Sequence, residues 1–142
     1  MEKHVTEAIQ NYAKGYTCSQ AVMCAYAEEM GIDKKVAYKM IEGFGGGCGG
    51  MQEVCGALSA AFAVISFHYS DGKLEGGDSK IDTYAKIRDA AAMFEEKFGA
   101  IVCRDVLKGN KPLPFKCGEK VRVAAEIVDQ VLEEMKGDKN NE

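Results

Sequence analysis

Val54-Cys55-Gly56-Ala57-Leu58-Ser59-Ala60-Ala61-Phe62-Ala63-Val64-Ile65-Ser66-Phe67 is small and apolar nearly all round, the composition of a helix buried on every side. The run falls short of the roughly 18 apolar residues a membrane helix needs, and Ser59 and Ser66 interrupt it. It therefore reads as the core helix of a folded domain, extending from Met51 to about Ser70. Stripes with helical spacing lie on both sides of it. Val5, Ala8, Ile9 and Tyr12 form one; Ala21, Val22 and Ala25 another; Val36, Met40, Ile41 and Phe44 a third. Downstream, Tyr84, Ile87, Ala91, Phe94 and Phe98 repeat at steps of three and four, as do Val121, Ala124, Ala125, Val128, Val131, Leu132 and Met135. Strand alternation is almost missing. The expected fold is all-α, a single-domain bundle of about five helices around the central apolar helix, spanning residues 1–136, with 137–142 as a loose tail.

Gly15 and Gly31 punctuate the first third. Gly43–Gly50, Asp71–Ser79 and Gly109–Lys116, the last with Pro112 and Pro114, have turn composition. The chain has 142 residues, 46% of them hydrophobic, which fits one ordinary core and excludes disorder and a two-domain enzyme. Its net charge of -4 gives no electrostatic reason to expect nucleic acid or an anionic membrane as partner. The start, Met1-Glu2-Lys3-His4-Val5, lacks the apolar core of a secretory signal. A cytoplasmic protein in a reducing compartment is the expectation. Its six cysteines then call for metal binding or thiol redox chemistry rather than structural disulfides.

Those cysteines are Cys18, Cys24, Cys48, Cys55, Cys103 and Cys117, and several fall at predicted helix starts. Thr17-Cys18-Ser19-Gln20 fits a capping box, with Thr17 as N-cap and Gln20 reaching back, which puts Cys18 in a first helical turn. Cys55 follows the glycine-rich run, Cys103 follows Gly99, and Cys117 precedes the C-terminal helix. Unpaired N–H groups at such ends favour thiolate, the form that binds metal or attacks a disulfide. Cys18 aligns with Ala21, Val22 and Ala25, and Cys55 with Leu58, Ser59 and Phe62, so both are expected to face inward. If several such cysteines meet at one end of the bundle, four thiolates suit zinc or an iron-sulfur cluster. A buried cysteine is equally a small hydrophobe, and Cys24 is read that way. Neither Cys-x-x-Cys nor a haem-attachment pattern occurs.

The run Gly43-Phe44-Gly45-Gly46-Gly47-Cys48-Gly49-Gly50 formally holds Gly-x-Gly-x-x-Gly at residues 45–50. A dinucleotide fingerprint needs a strand before it, and here an amphipathic helix precedes, so nucleotide binding is rejected. The glycines instead permit close backbone approach, either to present N–H groups to sulfur or to make a tight connection. His4 and His68 lack metal spacing and read as structural. Glu28-Glu29, Glu95-Glu96 and Glu133-Glu134 read as solvated faces. Tyr16, Tyr26 and Phe115 are candidates for a partner surface or a homo-oligomer contact.

The chain resembles the C_GCAxxG_C_C family of redox-active proteins. The resemblance runs from Asn11 to about Val131 and is carried by Gly43–Gly47, by Val54-Cys55-Gly56-Ala57-Leu58-Ser59-Ala60, by Cys103-Arg104, and by a last cysteine before an amphipathic helix. It implies Cys18, Cys55, Cys103 and Cys117 as the spaced cysteines, with Gly56 and Ala57 completing the core motif. Ala60 stands where the motif has its second glycine. Some relatives resemble exported proteins with a twin-arginine signal, a feature this chain lacks. The resemblance implies redox activity and suggests an iron-sulfur cluster for electron transfer, held by Cys18, Cys55, Cys103 and Cys117 with Cys48 as alternate ligand. The alternatives are zinc, a metal-free thiol-disulfide protein in which Cys55 attacks and Cys48 resolves, and a structural bundle with buried cysteines. A redox partner protein is expected, whereas no substrate and no catalytic acid or base can be named.

Overall fold

The computed structural model describes residues 2–108 and 117–140. Among them are eight α-helices: α1 (Glu2–Ala13), α2 (Cys18–Ala25), α3 (Ala27–Met30), α4 (Lys34–Ile41), α5 (Gly56–Tyr69), α6 (Lys80–Phe98), α7 (Cys103–Lys108) and α8 (Cys117–Asn140). A 3-10 turn, Glu42–Phe44, follows α4. The all-helical expectation is right, and the count of about five around one central helix is wrong. Two physical reasons account for the difference. The stripe of residues 21–25 marks α2 alone, and the short α3, which follows the break at Tyr26, has too few residues to show a period, as has the short α7. The centre, moreover, is shared: residues 19–25 of α2 are all buried, and α2 packs on α1, α4, α5 and α8. α5 likewise packs on α2, α6 and α8, so the core lies among three helices rather than around one.

The buried polar groups of α2 explain its position. Ser19 Oγ donates to the Ile41 carbonyl at 2.8 Å and Gln20 Nε2 to the Tyr38 carbonyl at 3.3 Å, fastening α2 to α4. Asn11 Nδ2 donates to the Ala21 carbonyl at 3.2 Å, fastening α1 to α2. Each such bond removes a desolvation penalty that a buried polar group otherwise carries. Tyr26, expected on the surface, is wholly buried. Its hydroxyl donates to Asp129 Oδ1 at 2.7 Å and lies 2.8 Å from the Ala125 carbonyl of α8, while the His4 ring stacks on it at 4.6 Å. Tyr16 is half-buried, and Phe115 lies outside the described residues, as does the Pro112–Pro114 linker.

The central helix begins at Gly56, not at Met51. Before it, Val54 is bridged antiparallel to Val102, Cys55 N–H donates to the Ile101 carbonyl at 2.9 Å, and Arg104 N–H donates to the Gln52 carbonyl at 3.0 Å. This short pairing locks the start of α5 beside the start of α7. Of the third predicted stripe only Ile41 is buried, and Val36, Met40 and Phe44 are exposed; Tyr84 of the α6 stripe is exposed too. At the other end, α8 continues through Asn140, where a loose tail was expected from residue 137. Gly137 sits in that helix, its Cα open to solvent. No helix of the described residues is long and apolar enough to cross a membrane.

Candidate functional site

Four helices start with cysteine. Cys18, Cys103 and Cys117 are the first residues of α2, α7 and α8, and Cys55 is the N-cap of α5. Cys18 is placed by the capping box read from the sequence: Gln20 N–H donates to Thr17 Oγ1 at 3.1 Å, and Thr17 N–H to Gln20 Oε1 at 3.0 Å. Such a cap contributes about 1 kcal/mol and fixes where the helix begins. Cys55 and Cys103 are placed by the Val54–Val102 bridge. All four cysteines line one cavity of about 320 Å³, together with Tyr12, Lys120 and the backbone of Gly46, Gly47 and Gly56. A larger groove of about 600 Å³ between α1 and α8 contains no thiol and is walled by Arg122 and three carboxylates.

The glycine run makes the cavity's lid. Gly46 and Gly47 adopt positive φ, and a Cβ on Gly47 would stand 2.7 Å from Gln52 Cα and 2.8 Å from Cys103 Cβ. The amides of Cys48, Gly49, Gly50, Gln52 and Glu53 bond back into residues 43–47 and so hold the loop itself. Gly56 touches the same loop, since a Cβ there would lie 2.5 Å from the Phe44 carbonyl oxygen and 2.7 Å from Cys18 Sγ. Glycine at this motif position thus lets α5 approach Cys18. Ala57 and Ala60 are fully buried in α5, and an Ala57 N–H is directed at the Cys18 sulfur.

Cys48 does not line the cavity. It sits in the loop at φ 65°, a left-handed conformation uncommon for a residue with a side chain. Cys24 is buried elsewhere, its Sγ facing the Lys34 carbonyl at 3.9 Å, as its reading as filler anticipated. His68 is also remote: its Nδ1 lies 2.9 Å from the Val64 carbonyl, a contact along its own helix.

Helix starts were expected to favour thiolate, and burial reverses that. The Cys55 thiol is pushed up to about 12 by burial, against the pull of N–H groups of Leu58 and Ala57. Cys18 is raised for the same reason, with the N–H of Gly46 pulling back most. Cys103 is raised by burial too, and here the opposing influence is the Lys120 ammonium. Tyr12 is raised to about 12 by burial and by its contact with Cys117. Burial therefore disfavours the thiolate of Cys55. Because its folded thiol holds its proton above the ordinary value of 9.0, the stability it supports is complete below pH 9 and is lost as pH rises toward 12. Urea midpoints measured on either side of that window should fall in the native chain and fall less in Cys55→Ala.

The six cysteines are all free thiols. Among the described residues, no three His, Cys, Asp or Glu side chains stand close enough to share a metal ion. Sequence reasoning missed Lys120. Its side chain is almost wholly buried, 4% exposed, and among the described residues its Nζ has no hydrogen-bond partner. The signal was present: Lys120, Ala124, Ile127 and Val131 follow one inward stripe of α8 at steps of four, three and four. The family model described as "Putative redox-active protein (C_GCAxxG_C_C)" matches residues 16–131. Neither a curated protein nor a solved structure matches the chain.

Proposed function

The chain belongs to the C_GCAxxG_C_C family, and we propose that it is a thiol-disulfide redox protein whose working groups are Cys18, Cys55, Cys103 and Cys117. The observation that carries the reading is their common cavity. An apolar cavity disfavours thiolate but not this couple, because two thiols and one disulfide are both uncharged. Cys103 is the attacking residue. It is half-buried rather than enclosed, and the ammonium of Lys120 favours its ionised form. The Cys103 thiolate attacks one sulfur of a substrate disulfide; the substrate S–S bond breaks and the departing thiolate takes a proton. A second cavity cysteine then attacks the Cys103 sulfur of the mixed disulfide and releases the other substrate thiol. The protein dithiol gives two electrons and two protons, and the substrate disulfide becomes two thiols. Cys48, outside the cavity, does not resolve.

A second reading keeps the same four residues as ligands of an iron-sulfur cluster. It is favoured by one feature, four thiols where a dithiol couple needs two, with backbone N–H groups directed at the sulfurs of Cys18 and Cys55. When bound, such a cluster supplies one-electron chemistry.

One experiment separates them. Protein purified without oxygen is assayed for iron, acid-labile sulfide and exchange with a small disulfide. Iron-free protein whose exchange is lost in Cys103→Ser and retained in Cys24→Ser supports the thiol reading. Near-stoichiometric iron and sulfide would replace it with the second. Metal-free protein whose thiols react only after unfolding would leave the cysteines as packing.

A further inference from the structure

Lys120 brings a charge into a mostly apolar cavity and, among the described residues, its Nζ has no hydrogen-bond partner there. An unpaired buried ammonium is costly, and the compensating charge has to come from somewhere. The cavity is also lined by the first residues of α2 and α8, Cys18 and Cys117. Its volume of about 320 Å³ suits a small molecule. The chain as a whole carries -4, so any preference for anions at this place belongs to the cavity and runs against the overall charge.

We propose that the cavity binds small organic disulfides and thiols bearing an acidic group, which pairs with the Lys120 ammonium. The choice of disulfides and thiols rests on the exchange reading above; the acidic group rests on Lys120 alone. Pairing at Lys120 brings the ligand's sulfur to the side of the cavity occupied by Cys103. Substrates with a carboxylate near the disulfide are therefore preferred over neutral or cationic ones of the same length.

Three disulfides of matched chain length test this with the intact protein: dithiodipropionate, hydroxyethyl disulfide and cystamine, with rates normalised to a free cysteine peptide. The expected order places dithiodipropionate first, ahead of cystamine by about tenfold, a ratio one charge contact supports. Lys120→Met removes the preference and Lys120→Arg keeps it. A faster reaction with cystamine, or a preference that survives in Lys120→Met, overturns the proposal. Equilibrium dialysis with octanedioate, which has the same length and no sulfur, reads the anion site without exchange. Binding to the native chain that is lost in Lys120→Met upholds the site even if none of the disulfides reacts, in which case the exchange reading is what fails. Absence of octanedioate binding to the native chain overturns the site even if exchange proceeds.

Discussion

Gly56→Ala is expected to destabilise the chain by about 1–3 kcal/mol, the range for forcing extra atoms into a packed core. The added Cβ would stand 2.5 Å from the Phe44 carbonyl oxygen and 2.7 Å from Cys18 Sγ. The first of these is backbone in a turn held by its own hydrogen bonds, so it cannot swing aside as a side chain can. Alanine does bring a gain of roughly 1 kcal/mol in helix propensity, and less at the first position of a helix. The clash exceeds it. Gly137→Ala is the matched control, because that position lies in α8 with nothing within 4 Å; it should stabilise by about 0.5–1 kcal/mol. Urea unfolding of both variants measures the contrast. Equal effects at the two sites would mean that α5 does not approach the 43–45 turn as closely as described.

Lys120→Met should move stability in the other direction, raising it by about 1–3 kcal/mol in ligand-free protein, the scale of removing an unsatisfied buried polar group. Methionine keeps an unbranched apolar stem of similar length, so the packing along α8 is preserved while the charge goes. The same change is expected to abolish the preference for acidic disulfides. A residue that lowers stability and directs binding has the signature of a functional group rather than a structural one. Thermal unfolding in the presence and absence of octanedioate reads both halves, since only the native chain should gain from the ligand. A loss of stability in ligand-free Lys120→Met would show that the ammonium already has a partner in solution.

How far the sequence led can be judged from particular residues. The capping box at Thr17 and Gln20 was readable because it is a local pattern, satisfied within four residues of chain. The same holds for Cys18 at a helix start and for the inward stripes of α5 and α8. Cys55 was placed a few residues inside a longer helix, because the pairing of Val54 with Val102 joins segments far apart in sequence and leaves no local mark. That long-range pairing also brings Cys103 to the cavity. The exposed Val36, Met40 and Phe44 show the limit of periodicity, which marks an amphipathic face without saying that anything covers it. Burial of Tyr26 leaves no local mark, since aromatic character says little about burial and its hydroxyl partners lie on α8. Lys120 was passed over because lysine is the residue least expected inside, although its position on the stripe pointed inward. N–H groups at the helix starts do favour thiolate at Cys18 and Cys55, but burial outweighs them there, as it outweighs Lys120 at Cys103.

The central claim is that Cys18, Cys55, Cys103 and Cys117 act as one redox unit. Disulfide mapping tests it most directly: the reduced chain is oxidised with a small disulfide, quenched with an alkylating reagent in denaturant, digested and weighed. The account predicts bonds drawn only from these four cysteines, with Cys24 and Cys48 recovered alkylated. A bond to Cys24 or Cys48, or a chain that keeps all six thiols until it unfolds, would contradict it.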